Sequence, residues 1–280
     1  MKKSVVLWSM VVLSFIGLAS GCQPQNDASS APKQSRTTVV KKKKTVAKPV
    51  YQQLADKNQT ALADKYKQAP TLTYTSNDDV INWVEPTVKD IVKDSTPDGT
   101  NSVILGYVTD WEQVNDPNLR IMTKLKVQVQ KVFDGDTKLA NQTITVSYVG
   151  GYVPYRTLEA YAGKREENIN PETTVLAQYE NLPTPKIGTT LVMPIRHFPY
   201  KKAVSWYRES AEKAGLANAY QVISDAYTTW ILDPKTDKLT NNNPTIPDTK
   251  PEGDNVPLNN TYKVKEELEK KLSEDTVSDS

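Results

Sequence analysis

Leu125-Lys126-Val127-Gln128-Val129-Gln130-Lys131-Val132-Phe133-Asp134-Gly135-Asp136 is the stretch on which the reading of this chain turns. Leu125, Val127 and Val129 alternate with Lys124, Lys126 and Gln128, the period of two that sets one face of a strand in a core and the other in water. Val132 and Phe133 shift that phase by one residue, which predicts a bulge near Lys131 and a sharper bend of the sheet. Asp134-Gly135-Asp136 supplies turn residues, and Gln142 to Tyr148 resumes the alternation through Ile144, Val146 and Tyr148. A long β-hairpin is expected.

Further strands are predicted on either side, at Val103 to Thr109, Thr190 to Ile195, Tyr220 to Ile223 and Tyr227 to Leu232, which brings the count to six. Gly150-Gly151 permits a bulge or a close crossing. Ahead of the strands, residues 51–68 place Leu54, Leu62 and Tyr66 at helical spacing. Ser76 and Asn77 can cap a second helical stretch that Pro86 divides. Short helices are also expected at Thr157 to Glu166 and Val204 to Ala214. The fold class read from this pattern is mainly β (α+β).

The order Val103-Ile104-Leu105-Gly106-Tyr107-Val108, the hairpin, Gly150-Gly151 and then Lys186-Ile187-Gly188-Thr189-Thr190-Leu191-Val192-Met193-Pro194 resembles a recurrent layout in small exported bacterial domains. Over Ser102 to Leu232, that resemblance implies a small OB-like antiparallel β-barrel of about six strands with short flanking helices.

The two ends of the chain differ from this middle. Lys2 and Lys3 precede the apolar run Val5 to Leu18, after which come Ala19, Ser20, Gly21 and Cys22. Charged, apolar and small residues in that order predict a signal peptide over 1–21. The run spans roughly 21 Å as a helix, short of the roughly 30 Å needed to cross a bilayer. Leu18-Ala19-Ser20-Gly21-Cys22 resembles the lipobox of bacterial lipoproteins, and with Gln23 and a Lys-rich, Arg-poor composition it is similar to Gram-positive surface lipoproteins. The resemblance implies acyl chains on Cys22 and a location on the extracellular face of the cell membrane.

Residues 22–50 hold almost no large apolar side chains and read as a flexible tether. Within it, Lys41, Lys42, Lys43 and Lys44 can meet anionic lipid or wall polymer. Residues 51–101 read as a helical lead-in and 102–235 as the β domain. Residues 236–280, with six basic side chains against ten acidic, read as a largely disordered acidic tail with a short helix at Lys263 to Leu272.

Chemistry is sparse. Cys22 is the only cysteine, so no intrachain disulfide or Cys-based metal site can form. His197 is the only histidine, without a second metal-ligand histidine or a G-x-S-x-G nucleophile elbow. No catalytic residue, metal or cofactor is assigned. Residues 70–235 carry 17 basic and 20 acidic side chains, a poor basis for binding nucleic acid. Fourteen Tyr and five Trp against three Phe give most rings a polar handle, suited to half-wet sites. Tyr148, Tyr152, Tyr155, His197, Tyr200 and Trp206 are the candidate rim of a groove for a peptide or glycan. The function expected is a non-enzymatic binding or interaction module of the cell envelope. The alternatives are a surface hydrolase using His197 with a carboxylate on wall polymer or peptide, and a structural subunit of an envelope assembly.

Overall fold

A computed structural model describes residues 47–75, 84–93, 101–163, 168–201 and 203–278. In chain order these form α1 (Val50–Lys65), β1 (Thr71–Tyr74), α2 (Val88–Lys93), β2 (Ser102–Val114), β3 (Met122–Asp134) and β4 (Thr143–Val149). Then come β5 (Gly151–Pro154), α3 (Tyr155–Ala162), β6 (Thr174–Tyr179), β7 (Thr190–His197), α4 (Ser205–Lys213) and β8 (Tyr220–Val222). The last elements are α5 (Asp225–Thr228), β9 (Trp230–Asp233), β10 (Lys238–Asn241) and α6 (Val256–Ser278).

The expected hairpin is β3 with β4, and β2 joins it along the other edge of β3. Register shifts interrupt the β2–β3 pairing between Val103 and Ile104, between Leu105 and Gly106 and between Val108 and Asp110. The first two skip Phe133 and Gln130 on β3, so the phase change near Lys131 marks a bulged region as predicted. Gly106 sits in this region because a Cβ there would lie 2.4 Å from Val127 Cγ1.

These strands belong to a seven-stranded sheet in the order β10-β9-β7-β2-β3-β4-β8. The far edge of β7 is divided, with β9 along Leu191 and Val192 and β8 along Ile195 to His197. β8 also pairs with β4, in parallel, through Val146 and Ser147. A separate sheet, β1-β6-β5, mixes a parallel and an antiparallel pair. The chain enters it straight from β4 through Gly150-Gly151. A Cβ on Gly150 (φ +92°) would meet the Ala177 carbonyl oxygen at 2.8 Å, so only glycine allows this crossing.

The expectation of a mainly β, OB-like antiparallel barrel is therefore corrected. The fold is mixed α+β, with a seven-stranded sheet, a second small sheet and six α-helices among the described residues. The sheet is not an antiparallel six-strand barrel: β8 joins it in parallel and β9 and β10 carry it past β7 to an edge strand. Strand periodicity identifies strands one at a time, whereas this arrangement follows from long-range pairings that short-range periodicity does not encode.

The disordered acidic tail is corrected as well. Val264, Leu268 and Leu272, spaced by four on α6, are buried with Val88, Ile91, Val103, Val192, Trp230 and Leu239 in a core on one face of the sheet. A second core on the opposite face gathers Ile104, Val108, Leu125, Val127, Val146 and Leu191 with others. The carboxylates of α6 also serve backbone groups: Glu267 accepts from the Val88 N–H at 3.0 Å, and Glu269 from the Leu239 N–H at 2.9 Å. The latter satisfies an outward donor of edge strand β10. The short helix expected at Lys263 to Leu272 is the middle of α6, and a single stripe of apolar residues is enough to dock it.

Two local readings also change. Ala55 is the fully buried residue of α1, while Leu54 is 47% exposed. Lys124, placed on the wet side of β3 by its charge, is buried under α4, where its ammonium donates to the Ala214 carbonyl at 2.8 Å and pairs with Glu112 at 2.5 Å. Replacing Leu268 with Ala should cost about 2–5 kcal/mol of unfolding free energy by removing buried methyl groups. Urea denaturation of the full chain checks this; a midpoint that does not move would show that α6 is not part of the core.

Candidate functional site

The six proposed rim residues do not converge on one surface. Tyr148 and Tyr155 are core residues, 3% and 2% exposed. Burial pushes the Tyr148 phenol up, and its oxygen accepts from the Asn242 amide at 2.9 Å. His197 stacks on Tyr220 at 4.6 Å between centroids and makes no ion pair with a carboxylate among the described residues. Tyr200 packs against the small cluster of Val114, Leu119, Met122 and Phe198. Trp206 is 54% exposed on α4, edge-on to Tyr207. Of the six, Tyr152 alone lines a recess described here. Cys22 and Lys41 to Lys44 lie outside the described residues.

A concavity lies elsewhere among the described residues, between the β2–β3 turn and α3. Asp116-Pro117 starts that turn. The Asp116 carboxylate accepts from the Asn118 N–H at 2.9 Å and its carbonyl from the Leu119 N–H at 3.1 Å, a local cycle that favours a turn over continued strand. Leu119 then points inward, while Arg120 is exposed. Opposite, α3 begins after Pro154 and stops at Gly163, which adopts the left-handed conformation at φ +64°. Thr157 and Ala160, three apart and both exposed, flank the opening together with Tyr161.

The cleft between them has a volume of about 690 Å³, within the range of ligand pockets. Val114, Leu119, Ile121 and Val153 form an apolar floor, and Arg120 and Arg156 stand among the lining residues. Arg156 pairs with Glu172. Tyr161 is held by a 2.8 Å hydrogen bond between its hydroxyl and that of Tyr179, and Tyr74 packs on both rings. Burial pushes the Tyr74 and Tyr179 phenols up, so both stay neutral. This is chemistry for holding an apolar group with polar contacts at the margin.

A smaller recess of about 270 Å³ lies where α1 meets β2 and β5, lined by Leu62, Lys65, Tyr66, Trp111, Asn115 and Tyr152 among others. Asn115 also lines the larger cleft, so the two adjoin at the β2–β3 turn. The sequence reading missed Arg120, Arg156 and Ala160, since surface arginines and a helical alanine carry no distinguishing signal. The Asp116-Pro117 turn could have located the loop.

No family model, curated protein or solved structure matches the chain. The likeness to Gram-positive surface lipoproteins taken from Leu18 to Cys22 is therefore corrected: no family supports that membership. The likeness to an OB-like domain family finds no counterpart among solved structures either. No helix of the described residues is long and apolar enough to cross a membrane. Nor do the described residues hold a group of three or more His, Cys, Asp or Glu able to bind a metal ion.

One carboxyl near Tyr148 is shifted. Burial raises the Asp225 pKa, against the opposing pull of its hydrogen bond from the Ala226 N–H and the more remote Arg120 and Arg196. A carboxyl raised on folding contributes stability below its unfolded pKa of about 4, and that contribution is lost as pH rises through the folded value. Asp225→Asn keeps an oxygen for the Ala226 N–H and removes the buried charge. The variant should gain thermal stability over the parent as pH rises from about 4 to 7, with little difference at the acid end. A gap that shrinks as pH rises would contradict this placement of Asp225.

Proposed function

We propose that this chain is a non-enzymatic binding module of the cell envelope, and that it takes an apolar side chain of a peptide into the cleft between the β2–β3 turn and α3. The observation that carries the reading is the 690 Å³ apolar concavity with two arginines in its lining. An apolar floor releases water from an inserted side chain at roughly 25 cal/mol per Å². Asp116 stands beside the two arginines and Glu172 pairs with Arg156, so the charges balance and the apolar floor sets the preference.

We place the module at the outer face of a membrane, a location that only the order of charged and apolar residues over 2–18 supports. Protease added to intact cells should digest the chain, and membrane fractions should hold it. A chain protected in intact cells would remove the location and leave the cleft untouched.

Ala160→Trp projects a large ring from an exposed helical position into the cleft and leaves the cores alone. Panning a random peptide library against the full chain should enrich sequences that share an aromatic or aliphatic anchor residue. Those peptides should bind Ala160→Trp at least about tenfold more weakly, a loss of roughly 1.4 kcal/mol, with the melting temperature unchanged. Peptides that bind both forms alike would place recognition elsewhere.

A further inference from the structure

The recess beside α1 has a composition of its own. Tyr66, at the carboxy-terminal cap of α1, lies flat on Tyr152 of β5, with centroids 3.8 Å apart and planes 5° from parallel. Trp111 of β2 leans on the same tyrosine at 6.1 Å and 48°. The indole is fixed, since its N–H donates to the Pro185 carbonyl at 2.8 Å. Three rings from three separate elements thus meet in one half-buried group. Burial pushes the Tyr152 phenol up, with a contribution from Tyr66.

We infer that this recess is a subsite for a single neutral sugar ring of a glycan. The C–H bonds on one face of a pyranose carry partial positive charge and complement the negative face of an aromatic ring. Its hydroxyls need amides and charged groups around the edge. The recess supplies both kinds of surface: the rings and Leu62, and the polar groups of Lys65, Glu112 and Asn115, with the Lys65 ammonium 5.0 Å from the centre of the Tyr66 ring.

Its size and charge narrow the occupant further. At about 270 Å³ it falls below the roughly 300 Å³ at which drug-sized pockets begin, and it admits one six-membered ring with its substituents. Glu112 pairs with Lys124 and Lys126, which leaves Lys65 as the other charged residue of the lining. A nucleobase would also stack here, but single-stranded nucleic acid needs a positively charged groove that tracks its backbone beside the stacking platform, and a single lysine supplies no such track. Asn115 connects the recess to the larger cleft, so a glycan bound here is open to extension in that direction. The inference stands without the peptide reading of that cleft.

Saturation-transfer NMR on the full chain tests it, with a chito-oligosaccharide, a cello-oligosaccharide and a single-stranded oligonucleotide as separate probes. At least one sugar should receive saturation, and Tyr66→Ala should weaken its binding by about tenfold or more, while Ala160→Trp leaves it unchanged. If Tyr66→Ala does not fold, fluorine-labelled tryptophan in the parent chain serves instead, with the Trp111 resonance assigned by Trp111→Phe. That resonance should shift on adding the sugar. No transfer to either sugar, transfer that Tyr66→Ala does not weaken, a silent Trp111 resonance, or a response to the oligonucleotide alone would each overturn the inference.

Discussion

The rest of the structure depends on β2 being buried on both faces. Ile104 and Val108 point into one core and Val103 into the other, all with no exposed surface. A strand in that position cannot stand at the surface of a half-wet sheet, so something must cover each side. On one side the cover includes α1, whose Asn58 amide donates to the Thr109 carbonyl at 3.0 Å. On the other it is α2 and α6, brought together by the Glu267 carboxylate on the α2 backbone. The helix from the far end of the chain completes a core that the strand next to α2 begins. With apolar burial worth roughly 1.5–3 kcal/mol per large side chain, three buried residues on one stripe of α6 outweigh its charged surroundings.

The same strand places the two concavities. β2 and β3 are each 13 residues long and run on past the region covered by β7. Their shared turn projects between α3 on one side and α4 on the other, where Asn118 donates to the Ser210 hydroxyl at 3.1 Å. The hairpin end, tied to α4 by that bond, and the short helix α3 together wall the larger cleft. The aromatic recess lies further back along the same strand, at Trp111. Both features use side chains from regular elements, whose positions packing fixes better than those of free loops.

What the sequence made legible follows from the range of each signal. The alternation in β3 and β4 and the phase change near Lys131 are local, and the structure has the strands and the bulged region there. The four-residue spacing of Val264, Leu268 and Leu272 was visible too, but composition suggested a solvated tail because the partner surface lies in residues far away along the chain. Lys124 was misplaced for a related reason: its neighbours Ala214 and Glu112 come from outside the local pattern, and they make its burial tolerable. The excess of tyrosine is legible in the composition, but which rings meet at a surface depends on contacts between distant elements. Tyr148 and Tyr155 went inside, whereas Tyr66, read only as part of a helix face, joined Tyr152 and Trp111 across three elements.

If α6 and the β2–β3 pair share one fold, they must open together. Native-state hydrogen exchange, followed by mass spectrometry on the full chain, compares them directly. The account predicts that peptides covering residues 264–272 and those covering 103–108 and 125–129 exchange in the same slowest class and respond in parallel to denaturant. Exchange of residues 264–272 within seconds, while the two strands stay protected, would contradict it.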